Sequence, residues 1–162
     1  MNVQVHAIRR VEALLAEYGR NHHNPTNKVI HGFAVPTITW ATLAILWSVP
    51  TPALFDSTPY LNWATILCAL ALAYYLTLSI PLALGMATFS AIALAIVWFV
   101  EVNAPIPLIY IAAPVFIFAW MFLFVGHIFE DRSLSFLIDL QFLVIEPVWF
   151  IHLLFRRLGI PY

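Results

Sequence analysis

VIHGFAVPTITWATLAILWSV, residues 29–49, carries no charged side chain from end to end. At about 1.5 Å per residue it would make a helix of roughly 31 Å, enough to cross a hydrocarbon core of ~30 Å. The same character continues outward. From Val29 to Gly126 the only charged residues are Asp56 and Glu101. Across all 162 residues, 63% are hydrophobic and 9% charged, which excludes an ordinary soluble domain and points to an integral membrane protein.

Prolines divide this apolar region. Pro50, Pro52 and Pro59 surround Asp56 in a turn-rich connection, so a second span is expected over residues 60–80, with Tyr and Trp near its start. Pro81 forces a tight return into a third, residues 82–102. Pro105 and Pro107 precede a fourth, residues 108–125, which is rich in aromatic residues and contains Pro114. Pro36 inside the first span removes a donor to the Gly32 carbonyl and predicts a kink. The expected fold is therefore all-α, with four transmembrane helices and a single integral membrane domain over residues 1–162.

The flanks complete that domain. In residues 1–28, Ile8, Val11, Leu14, Leu15 and Tyr18 recur at helical spacing while Arg9, Arg10, Glu12 and Glu17 spread around the other face, predicting an amphipathic helix at the membrane surface. No apolar signal-peptide core precedes the first span. After the fourth span, residues 126–162 form a capping segment. Its apolar run is interrupted by Asp139, Gln141, Glu146 and Pro147, so two short interfacial or re-entrant helices breaking at Pro147 are expected rather than a fifth crossing.

All seven basic residues lie at the two ends: Arg9, Arg10, Arg20 and Lys28 before the first span, and Arg132, Arg156 and Arg157 after the fourth. The positive-inside rule then places both termini in the cytoplasm, of a bacterial inner membrane or an endoplasmic reticulum membrane, and requires an even number of crossings. Four crossings bring residues 126–130 back to the side from which the first span started. A net charge of −1 gives no basic footprint for nucleic acid, and the single Cys68, inside an apolar block, allows no intramolecular disulfide.

Polar side chains with metal-binding capacity gather at that shared side. His23, Asn27 and His31 stand four residues apart; on one continuous helix the two histidines would be separated by roughly 12 Å of rise, a stretch for one ion. Asn24-Pro25, however, is a preferred N-cap followed by a preferred first helical residue, so the helix should begin at Pro25. His22 and His23 then lie in the preceding turn, where His23 can fold back towards His31. His127 and Glu130, three apart, share a helix face, and Gly126 beside them permits close approach of another backbone or a ligand. Three histidines, or two and a carboxylate, leave open positions on iron. The competing reading makes both clusters interfacial polar residues at helix ends.

Tyr18, the run from His23 through His31 to Pro36, and Gly126-His127-Ile128-Phe129-Glu130 three spans later together resemble the membrane 2-hydroxy fatty acid dioxygenase family, whose fungal members act in phytosphingosine breakdown. The resemblance covers nearly the whole chain. It implies an iron(II)-dependent oxygenase that uses molecular oxygen to shorten a long-chain 2-hydroxy fatty acid by one carbon. It also implies that His23, His31 and His127 bind the metal, with Asn27 and Glu130 as polar partners in the site. Arg132, and with less reason Lys28, could hold the substrate carboxylate, though each also serves as a positive-inside anchor; Tyr18 could donate a hydrogen bond. His22, Glu130 and His152 are alternatives for completing the coordination. The chain departs from the family pattern at Ser133-Leu134-Ser135, at Glu146 before Pro147, and at His152. A homo-oligomer is compatible with the sequence. The alternatives are a bis-histidine haem protein for electron transfer, a di-iron desaturase, for which six histidines are too few, and a small metal-independent membrane adaptor.

Overall fold

The computed structural model describes residues 12, 13, 15, 16, 24–55, 57, 58, 60–129 and 145–161. Among them there is no strand. Five helices of two turns or more follow in order: α1 (Pro25–Ser48), α2 (Trp63–Leu78), α3 (Ile80–Asn103), α4 (Leu108–Ile128) and α5 (Ile145–Leu158), with a 3₁₀ turn, Ala53–Phe55, between α1 and α2.

Local chemistry sets these boundaries. Asn24 caps α1, its side chain accepting from the N–H groups of Thr26 and Asn27, and Pro25 is the first helical residue, as Asn24-Pro25 predicts. Asn62 caps α2 through a reciprocal box with Thr65: the Asn62 side chain accepts from the Thr65 N–H at 3.1 Å, and the Thr65 hydroxyl accepts from the Asn62 N–H at 3.0 Å. Ser79 alone joins α2 to α3. Its N–H donates to the Tyr75 carbonyl, closing one helix, while its hydroxyl caps the next ahead of Pro81.

α1, α3 and α4, of 24, 24 and 21 residues, are long and apolar enough to cross a membrane. The expected second span is shorter. Caps at Asn62 and Ser79 trim it to the 16 residues of α2, about 24 Å of helix. Pro36 lies within continuous α1, and the hydroxyls of Thr37, Thr39 and Thr42 donate to carbonyls one turn back, so these polar side chains are satisfied inside their own helix. α5 starts at Ile145, two residues before the break expected at Pro147, and residues 130–144 lie outside the described ones. Pro147 falls in the first turn of α5, where a missing N–H costs no helical bond. The other expected tail helix, and all but four residues of the N-terminal one, lie outside the described residues. Residues 12, 13, 15 and 16 are helical, and Leu15 is buried as its spacing predicts.

The four long helices alternate in direction. At one end the close of α1 (Leu43, Ala44), the start of α2 (Ala64, Cys68), the later part of α3 (Ala93, Val97) and the start of α4 (Leu108, Ala112) form one core. At the other end Tyr75, Leu78, Leu82 and Met86, from the α2–α3 turn region, pack against Leu15 and against Val148 and Trp149 of α5. α5 thus caps the end where α1 begins and α4 finishes. Large apolar side chains such as Phe33, Leu84, Trp98, Phe99, Phe118 and Phe122 point outward, as lipid-facing residues do.

α1 and α4 pack along small residues. Asn27, Ala34 and Ala41 on α1, and Ala112, Ala119 and Gly126 on α4, recur every seven residues and are all buried. Without a hydrophobic drive between helices in lipid, such seams hold by close backbone approach and van der Waals contact.

Candidate metal centre

The α1–α4 seam ends in a polar cluster. At Gly126 a Cβ would lie 2.6 Å from Asn27 Oδ1 and 3.0 Å from Ile30 Cγ2, so only glycine lets the helices meet this closely. One residue further, the imidazoles of His127 and His31 face each other, Nε2 to Nε2, at 3.2 Å, with ring centroids 5.0 Å apart. The clearance at Gly126 makes that approach possible.

Both rings are held. His31 is 1% exposed, and its Nδ1 lies 3.0 Å from the backbone carbonyl of Asn27. A carbonyl can only accept, so Nδ1 carries the proton and Nε2 presents its lone pair towards His127. His127, half-buried, meets Phe124 edge to face at 6.4 Å; Phe124 in turn stacks near Trp120, and Trp120 near Phe116. This ladder follows the i, i+3 and i, i+4 steps of α4 and backs the His127 ring.

The spacing has a chemical meaning. Two imidazole nitrogens bound at about 2.0–2.1 Å to one ion are about 3.0–3.4 Å apart when adjacent in its coordination sphere, and about 4 Å apart when opposite. The 3.2 Å separation fits the adjacent arrangement. It does not fit the opposed ligands of a bis-histidine haem, which also need a macrocycle between them. A histidine whose far nitrogen donates to a backbone carbonyl is the usual supported metal ligand. The pair therefore fits a mononuclear ion as two of its ligands. Among the described residues no third His, Cys, Asp or Glu joins them.

Of the residues singled out by sequence, the structure brings together Asn27, His31 and His127. Asn27 is fully buried, its carbonyl serving His31 and its side chain filling the space over Gly126. His22, His23, Tyr18, Glu130 and Arg132 lie outside the described residues. Lys28 is exposed at the same end. The cap residue Asn24 also ties the two helices together, its Nδ2 donating to the Phe129 carbonyl at 3.0 Å. Asn24→Ala removes both cap and tie and is expected to cost about 1–2 kcal/mol, whereas Asn24→Ser keeps the cap and should lose only the tie, roughly 0.5–1.5 kcal/mol. Thermal unfolding of the two variants in detergent checks the order.

Two polar residues of α5 stand out: Glu146, to which sequence reasoning gave no role, and His152, an alternative for completing the coordination, which joins no cluster of three metal-capable side chains among the described residues. Glu146 is 2% exposed, in the first turn of α5, where the positive end of the helix dipole favours a carboxylate. His152 is half-buried one turn before Arg156; burial, and then the Arg156 charge, lower its pKa below the ordinary histidine value. Their signal was present in the sequence as polar groups in an apolar tail, but nothing in that pattern tells a buried carboxylate from an interfacial one.

No curated protein and no solved structure matches the chain. Residues 8–158 match the Mpo1-like family, described as 2-hydroxy-palmitic acid dioxygenase Mpo1-like. That match spans the N-terminal segment, the four long helices and α5, and includes both histidines of the facing pair. The chain is a member of the Mpo1-like family of 2-hydroxy-palmitic acid dioxygenases.

Proposed function

We propose that this protein is an iron(II)-dependent dioxygenase that shortens long-chain 2-hydroxy fatty acids by one carbon. The observation that carries the reading is the His31–His127 pair, with adjacent-ligand spacing and the His31 lone pair turned inward. His23, the residue before Asn24 in sequence, is assigned as the third ligand by the family resemblance. Iron(II) held there would supply the one-electron chemistry that dioxygen requires.

The chain's own groups do the rest. The Asn27 carbonyl fixes the His31 proton on Nδ1 in the neutral ring, which directs the Nε2 lone pair towards His127. By the family resemblance, Arg132 is assigned to pair with the substrate carboxylate, and Glu130 and Tyr18 to orient polar groups at the site. The polar head of the substrate reaches the site from the bundle end while its acyl chain stays among apolar helices, where water is excluded. The carbon balance is simple: C1–C2 of the 2-hydroxy acid breaks, C2 becomes the new carboxyl carbon, and one dioxygen is consumed with release of carbon dioxide and water.

In the membrane, α1, α3 and α4 cross fully and α2 completes a fourth crossing, its shorter length met by local thinning and by Asn62 and Ser79 at its ends. Lys28 and the Arg156-Arg157 pair mark the site end as cytoplasmic. Iron-loaded protein, prepared anaerobically and then given oxygen and 2-hydroxypalmitate, is expected to yield the acid one carbon shorter with matching oxygen uptake. A preparation that binds iron but makes no such product would overturn the reading.

A further inference from the structure

A second feature lies deeper in the bundle. α1, α2 and α3, with Pro147 of α5, line a half-open cavity of about 140 Å³. Its end nearer the histidine pair is formed by Ile38, Tyr75, Met86 and Pro147; its far end by Thr42, Leu43, Leu67 and Cys68. Apolar side chains dominate the lining, since the Thr39 and Thr42 hydroxyls are turned into their own helix and the Ser90 hydroxyl pairs with the Cys68 thiol. Leu67 is exposed and Thr39 half-buried, so the outer wall between α1 and α2 faces the bilayer.

His31, Ile38 and Thr42 fall on one stripe of α1, at steps of seven and four residues. From His31 the helix rises about 10 Å to Ile38 and about 18 Å to Leu43. An extended hydrocarbon with C–C bonds of about 1.5 Å advances roughly 1.3 Å per methylene. A chain with C2 at the histidines therefore enters this cavity about eight carbons on and meets its floor about fourteen carbons on. Apolar cavities of about this size take a ligand of roughly six carbons, which matches the segment between those two points.

We infer that this cavity holds the distal methylenes of the substrate's acyl chain, and that Thr42, Leu43, Leu67 and Cys68 at its floor set the longest chain accepted. The inference rests on the dioxygenase reading for the identity of the polar head, but its test separates the two.

Cys68 is the only thiol in the chain and is buried at that floor. In anaerobic, iron-loaded, detergent-solubilised protein, its alkylation by N-ethylmaleimide, followed by intact mass, is expected to slow about tenfold at 2-hydroxypalmitate concentrations near ten times Kd. The eight-carbon analogue, 2-hydroxyoctanoate, should give no protection. In parallel, Cys68→Phe fills part of the cavity and is expected to lower turnover of the sixteen-carbon acid while sparing ten- and twelve-carbon acids. If that variant does not fold, labelling of the unaltered protein decides alone. Equal labelling with and without 2-hydroxypalmitate, in protein that turns the acid over, overturns the cavity assignment and leaves the dioxygenase standing. Protection without turnover in air supports the cavity and overturns the dioxygenase. Neither protection nor turnover overturns both.

Discussion

His31→Ala and His127→Ala are each expected to bring bound iron down by on the order of 100-fold or more in affinity and to remove turnover of 2-hydroxypalmitate to background. The lower bound comes from outer-shell partners of metal ligands, whose loss alone costs 10–100-fold; a ligand itself should cost more. Metal content after dialysis against a weak chelator is the primary reading, because it does not depend on the identity of the substrate. A merely structural role predicts a different result. His31 is 1% exposed inside the α1–α4 seam, so its truncation also leaves a void and should lower thermal stability, whereas half-buried His127 can be truncated with little packing loss. If iron binding survives in His127→Ala with the fold intact, the facing pair is an interfacial contact and the metal assignment fails. His31→Gln and His127→Gln, which keep much of the volume, separate packing from ligation: stability should return and iron should not.

The parts of this protein legible in its sequence are those where a residue type breaks the apolar background. Asn24-Pro25 announced where α1 begins, and the structure starts the helix there with the expected cap. The basic residues confined to the two ends require an even number of crossings, which puts His127 at the same end as His31, and the two rings meet. Where the background is uniform, the pattern carries less. α4 is apolar on every side, so hydrophobic periodicity cannot tell its seam from its lipid face. Only the seven-residue recurrence of Ala112, Ala119 and Gly126 marks the buried side, and small residues are common in such helices. The length of α2 was misjudged for a related reason: Tyr60, Leu61, Leu78 and Ile80 all suit a membrane helix, while the caps that end it at Asn62 and Ser79 are single polar residues. Pro147 lies in the first turn of α5, where a proline costs no helical bond, so the residue type marks a helix start within two residues. Spacing alone does not show what the Asn27 backbone does: its carbonyl orients the His31 ring.

Gly126→Ala is expected to destabilise the protein and loosen the histidine pair, although the same change in most helices would stabilise it. Replacing glycine in a helix interior with alanine gains about 1 kcal/mol of helix propensity. Here the added carbon lies 2.6 Å from Asn27 Oδ1 and 3.0 Å from Ile30 Cγ2, and Asn27 is fully buried with no room to retreat. Overpacking of that kind costs about 1–3 kcal/mol, so the balance falls on the side of destabilisation. Relief must come from moving α4 away from α1, which widens the 3.2 Å gap between the Nε2 atoms one residue away. Bound iron should therefore fall with stability. Gly32→Ala is the control, because its added carbon meets only Phe150 Cε1, at an ordinary 3.7 Å, and should leave stability equal or slightly higher. A double-mutant cycle with Asn27→Ala tests the cause directly. If the clash with Asn27 Oδ1 is responsible, Gly126→Ala should be less harmful by about 1 kcal/mol when position 27 has already been truncated. Additive losses in that cycle would show that the close approach at Gly126 is not what holds α1 and α4 in register at the histidines.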